Sequence, residues 1–257
     1  MNIMKSLYFS LASLALGASC WLACSSDTTT AADAGPPGTP GTVNPQAAKS
    51  SSTTLVGGVS KAVDGNDGNA SLALLIQGAQ QSQSVVTPSA GGGAAKPSNV
   101  ALRDFVGQVS QAITSCEGAC TGTTCDFKGC GTETPQSSVT ISGVLSWTGG
   151  NLKCVGLTYD ISAATTGGSK TKITLDCDVQ ASASSLKGFV KSTGSTSLNL
   201  GDSGAPAGVG TVAWTSDTTF NDVKYTAGKP TSGSVKVAAT TSVAGQTYTG
   251  SAEITFP

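Results

Sequence analysis

Three carboxylates, Asp160, Asp176 and Asp178, lie on neighbouring stretches in which polar and apolar residues alternate, and their spacing places them on one polar face. Carboxylates so placed can hold a hard cation such as calcium or divide acid and base roles between them. Lys153, Lys170 and Lys172 have the same parity, however, so cross-strand ion pairs on a wetted surface explain the pattern, and the aspartates are weak metal candidates. A serine–lysine dyad would need no histidine, and Lys170 and Lys172 are available as bases, but serine is too abundant for any one to stand out as a nucleophile. The chain has no histidine, which removes both the usual general base and the commonest nitrogen ligand for metals.

The segment Gly201-Asp202-Ser203-Gly204-Ala205-Pro206 resembles the Gly-Asp-Ser-Gly-Gly-Pro loop of trypsin-like serine proteases, with Ala205 replacing the second glycine. That chemistry needs a histidine to take the serine proton and an aspartate to orient it. Without histidine, and with no cysteine after Cys177 to close the flanking disulfide, the segment reads as a turn. Asp64-Gly65-Asn66-Asp67-Gly68-Asn69 also reads as a turn, since the EF-hand spacing and its closing glutamate are missing. Trp147, Trp214, Tyr159, Tyr248 and Phe256 have ring faces that can stack on a sugar, but each is in phase with aliphatic neighbours and is expected in the core. No motif identifies a cofactor and none is expected.

The cysteines form two groups. Cys116, Cys120, Cys125 and Cys130 crowd into one loop-like stretch, while Cys154 and Cys177 sit on strands. Zinc is disfavoured because the four clustered cysteines lack a Cys-x-x-Cys knuckle, so a disulfide framework is expected in an exported chain. Strand alternation places Cys177 on the apolar face and Cys154 in phase with Gly156, Thr158 and Asp160 on the polar one. Unless a bulge intervenes their side chains point apart, so each is expected to bond to the cysteine-rich stretch instead.

Cys20 and Cys24 close an N-terminal leader. Met1 to Lys5 carries one positive charge, and Leu7 to Ala18 is an apolar run of signal-peptide length, too short to span a bilayer as a helix. The end of this leader resembles a bacterial lipoprotein signal, in which a small residue precedes a cysteine that is acylated and becomes the new N-terminus. Cys24 follows Trp21-Leu22-Ala23 and Cys20 follows Gly17-Ala18-Ser19. Cys24 is preferred because it leaves an even set of later cysteines and exposes a polar tether; Cys20 is the alternative. The resemblance implies a membrane partner through acyl chains such as palmitate. It implies an address in the cell envelope, at the outer membrane on its periplasmic or surface face.

Only 11% of residues are charged and the formal net charge is −1, so there is no electrostatic basis for a nucleic-acid partner. Residues 1–23 are read as signal peptide, 24–54 as a disordered Ser/Thr/Gly/Pro tether, and 55–257 as a single cysteine-containing β-rich domain. Apolar spacing predicts helices carrying Leu72, Leu75, Ile76 and Ala79, and carrying Leu102, Phe105, Val106, Val109, Ile113 and Cys116, with a fainter one around Val56, Val59 and Val63. From Ser138 onward the period becomes two, and a phase slip between Phe220 and Val223 predicts a bulge. The expected fold is α+β, with two or three N-terminal helices packed on a curved antiparallel sheet or half-barrel of seven to eight strands.

The expected function is non-catalytic: a binding, adhesive or structural role in the envelope, with a protein, glycan or lipid as partner. One alternative is a periplasmic or outer-membrane carrier holding a lipid or other apolar ligand between helices and sheet. A second is a histidine-independent envelope hydrolase.

Overall fold

A computed structural model describes residues 29–31, 39–65, 68–87, 112, 115–116, 118–135, 137–163, 169–182, 185–199, 209–243 and 245–257. Three short strands, β1 (Thr29–Ala31), β2 (Thr39–Pro40) and β3 (Thr42–Val43), precede helices α1 (Pro45–Gly65) and α2 (Gly68–Gln81), a 3-10 turn (Ser82–Ser84) and β4 (Val86–Thr87). A meander follows: β5 (Cys120–Thr121), β6 (Thr124–Thr134), β7 (Ser137–Thr148), β8 (Asn151–Ala163), β9 (Ser169–Ser182), β10 (Ser185–Asn199), β11 (Val209–Thr226), β12 (Lys229–Val243) and β13 (Gln246–Phe256). Each meander strand is antiparallel to the next, and β1 and β2 add to the outer edge of β13, which makes one sheet of 11 strands. β3 and β4 pair separately.

This mostly β fold corrects the expected α+β arrangement of two or three helices on seven to eight strands. Two helices are present among the described residues, and the sheet is wider than the alternation suggests. The extra width comes from β5 and β6, which run through the cysteine-rich stretch expected to be a loop, and from β1 and β2 near the N-terminus. Most of the helix expected over Leu102–Cys116 lies outside the described residues; within it Ala112 and Ser115 are helical.

α1 starts inside the stretch expected to be a tether. Its Ser, Thr and Gly content gives it weak intrinsic helix propensity. A cap offsets this at the start, where Asn44 Oδ1 accepts the Ala47 N–H at 3.1 Å and Pro45 occupies the first helical position. Tight packing on α2 supports the rest. Ser51 Oγ donates to the Gly78 carbonyl and Ser71 Oγ to the Gly58 carbonyl, both at 2.8 Å, and a β-carbon on Gly78 would come 2.6 Å from Leu55. The small residues that weaken α1 as an isolated helix let the two helices approach.

Leu55, Val56 and Val59 of α1 and Leu72, Leu75 and Ile76 of α2 are buried with Ile141, Leu145, Leu157, Ile173, Val235 and Val237 from the inner face of the sheet. The last turns of α1 reach opposite halves of the meander: Val63 lies by the β7–β8 turn and Ser60 by Gly228 of the β11–β12 turn. The sheet therefore curls around the helix pair.

Bulges decide which residues face inward. In β8, Val155 and Gly156 together oppose Asp176; Gly156 has φ +53°, and its N–H donates to Asp176 Oδ1 at 2.8 Å. Leu152 and Cys154 point inward before this bulge, and Leu157, Tyr159 and Ile161 after it, while Val155 is turned out to 52% exposure. Cys154 thus shares a face with Cys177 and the two are bonded, with Cα atoms 4.6 Å apart. The expectation that the strand cysteines avoid each other is wrong, because it carried an unbroken alternation through Gly156. The other four cysteines pair within their own stretch, as Cys116–Cys130 and Cys120–Cys125. The bulge predicted between Phe220 and Val223 is present in β11, where the register shifts after Asn221 and Asp222 has φ +55°.

Candidate functional site

That bulge in β11 shapes a trough on the outer face of the sheet. β10 places Lys187, Phe189 and Lys191 opposite in phase to the buried Leu186 and Val190. On β11, Thr219 stands across from Phe189 and Asp217 across from Lys191, while the extra residue brings Asp222 beside Lys187. The resulting depression has a volume of about 670 Å³ and is open to solvent, with Gly188, Phe220 and Asn221 completing its lining.

Lys191 Nζ lies 3.5 Å from Asp217 Oδ2 and 5.3 Å from the centre of the Phe189 ring. Lys187 Nζ lies 3.9 Å from Asp222 Oδ1. Ser185 Oγ also donates to Asp222; this hydrogen bond, followed by the charge of Lys187, holds the Asp222 carboxyl below its ordinary value. The lining holds two ammonium groups and two carboxylates, and the same face sets Asp178 across from Phe189, Asp176 across from Lys191 and Lys236 across from Thr219, so charges of both signs are interspersed around the trough. It presents donors and acceptors around one partly exposed aromatic ring.

A smaller cavity of about 140 Å³ lies beneath the β7–β8 turn, lined by Val63, Thr123, Trp147 and Asn151 among others. Trp147 Nε1 is buried without a hydrogen-bond partner among the described residues.

The aspartates singled out in the sequence share the outer face but occupy separate rows. Asp160 stands across from Lys172, Asp178 across from Lys153, and Asp176 across from Lys191 while accepting the N–H of the β8 bulge. Among the described residues there is no group of three or more acidic or thiol side chains placed to hold a metal ion. Trp147, Tyr159, Trp214 and Phe256 are buried on the inner face, and Trp214 lies flat on Gly194 where no side chain fits. Tyr248 is half-buried and donates to Gln246 Oε1 at 2.6 Å. Cys20, Cys24 and the Gly201–Pro206 segment lie outside the described residues.

Sequence reasoning missed Phe189, and a signal for it exists. In Leu186-Lys187-Gly188-Phe189-Val190-Lys191 the aromatic residue is out of phase with Leu186 and Val190 and sits between two lysines. An aromatic on the polar side of a strand is one whose ring is not committed to the core. Comparison with protein-family models, with curated proteins and with solved structures finds no match to this chain.

Proposed function

We propose that this chain is a cell-envelope lipoprotein with a non-catalytic binding role, held at the outer membrane by acyl chains on Cys24, or on Cys20 if processing occurs there. The observation that carries this reading is the use of the eight cysteines: six form three disulfides, and the other two are those at the end of the leader. Disulfides persist where the surroundings are oxidising, as outside the bacterial cytoplasm. Each methylene of an acyl chain buried in lipid contributes about 0.8 kcal/mol to anchoring.

Two features of the fold support a binding surface over a carrier or hydrolase. The inner face of the sheet, where a carrier would hold an apolar ligand, is occupied by the side chains of α1 and α2. The outer face has a trough of paired charges around a ring.

Metabolic labelling with an alkyne fatty acid tests the anchor. Wild type and Cys20→Ala should take the label and Cys24→Ala should not. Loss of label in Cys20→Ala alone would move the anchor to Cys20, and an unlabelled wild type would overturn the reading.

A further inference from the structure

The Phe189 trough has a chemistry of its own. Its ring lies on the outer face of β10, partly exposed rather than packed into the core, with Lys191 Nζ over it at 5.3 Å from its centre, so a ligand stacking on that face would displace the ammonium. Around that ring are two carboxylates, Asp217 and Asp222, two ammonium groups, Lys187 and Lys191, and the Asn221 amide. The depression is shallow and open to solvent, so a ligand would lie across the ring rather than be enclosed.

We propose that this trough is a binding site for a neutral saccharide. A sugar ring has one face of C–H groups and a rim of hydroxyls. The C–H face would pack on Phe189 through apolar contact and the attraction of weakly positive hydrogens to the negative face of the ring. Rim hydroxyls would donate to Asp217 and Asp222 and accept from Lys187, Lys191 and Asn221, each replacing water with a charge-assisted or amide hydrogen bond. The interspersed charges of both signs give no added attraction to phosphorylated or sulfated ligands or to polycations, which leaves a neutral polyol as the ligand class that the ring and the hydrogen-bonding groups favour.

The surface beyond the trough has the same character. One row along from the Lys191–Asp217 pair, the outer face presents Thr158, Thr174, Thr193, Thr215 and Thr240 directly across from one another on successive strands. Thr158 and Thr174 share a hydrogen bond of 3.0 Å between their hydroxyls. A surface of uncharged hydroxyls exchanges hydrogen bonds with a polyol at little desolvation cost, so a longer saccharide can extend from the trough onto this row.

The backbone ties the site together. Asp222 holds a left-handed conformation, which aspartate tolerates better than most residues, and that conformation together with the Ser185 hydrogen bond fixes its carboxylate at the rim. Asp222 is therefore a binding residue whose position depends on the bulge.

This inference rests on the binding role proposed above, and its test is independent of the anchor. The full processed chain, solubilised in detergent, would be applied to an array of neutral, anionic and cationic oligosaccharides, and the best neutral ligand then titrated by calorimetry. A neutral oligosaccharide should be retained. Phe189→Ala should weaken it by at least about tenfold and Asp222→Asn severalfold, whereas Phe189→Tyr, which keeps the ring, should bind within about twofold of wild type. Phe189 packs outside the core, so the melting temperature should stay near wild type in all three variants. Failure to bind any neutral oligosaccharide, binding of charged ones alone, or equal affinity in Phe189→Ala would overturn the proposal. Loss of fatty-acid labelling would leave it standing.

Discussion

Ala227 sits at φ +50° in the turn between β11 and β12, followed by Gly228 at φ +74°. Two successive positive φ angles suit a two-residue hairpin whose twist matches the strands, but the first position favours Asn or Gly because an alanine β-carbon crowds the backbone there. Ala227 is exposed, so replacing it disturbs no packing. Ala227→Asn should raise stability by about 1 kcal/mol, read as a higher urea midpoint with an unchanged slope. The residue scale was only partly legible. The Asn44-Pro45 pair signals a helix start inside the stretch read as a tether, and Phe189 signals an outward aromatic, but neither signal was used. The left-handed conformation of Asp222 was not legible, because aspartate does not signal it as glycine would.

Element boundaries reveal where local periodicity stops being informative. Most of the long strands from β7 to β13 follow the alternation read from the sequence, since one face packs into the core and the other meets water, but β8 breaks it at Val155–Gly156. Disulfide pairing could not be read the same way, because a single extra residue at Val155–Gly156 reverses every side chain beyond it. Removing the Cys154–Cys177 bond with a double alanine substitution should lower stability by roughly 3 kcal/mol for the loop it closes, and peptide mapping without reduction should recover these two residues in one cross-linked fragment. Recovery of either strand cysteine bonded to Cys116, Cys120, Cys125 or Cys130 would contradict the register of β8 on β9. α1 was faint in the sequence for a different reason. Its serines and glycines are poor helix formers alone, and their value lies in the contact with α2 that they permit.

Across the whole molecule, the helix pair is fastened to the sheet by a contact between residues far apart in sequence. The Tyr225 hydroxyl of β11 donates to Asp64 Oδ1 near the end of α1 at 2.9 Å. Burial, then the hydrogen bond and charge of Asp64, push the Tyr225 hydroxyl up to about 12. Burial also raises Tyr159 well above the ordinary tyrosine value. The folded chain thus keeps protons that an unfolded chain releases near pH 10. This stabilisation is complete below pH 10 and is lost as pH rises toward 12, by roughly 2 kcal/mol for Tyr225. Tyr225→Phe should flatten that part of the stability curve, measured by urea unfolding from pH 9 to 12; an unchanged slope would show that folding does not raise the Tyr225 hydroxyl.

The order of residues alone determined the apolar run Leu7–Ala18, the α2 stripe, the phase of strands such as β9 and the slip at Phe220–Val223, because each is a pattern within one segment of chain. Only the tertiary structure decided that the helix faint around Val56–Val63 starts as early as Pro45, that the cysteine-rich stretch carries the strand β6, that Cys154 meets Cys177, and that Phe189 lies between Asp217 and Asp222. Those outcomes depend on how one strand or helix registers against another, which packing and hydrogen bonding across the sheet settle.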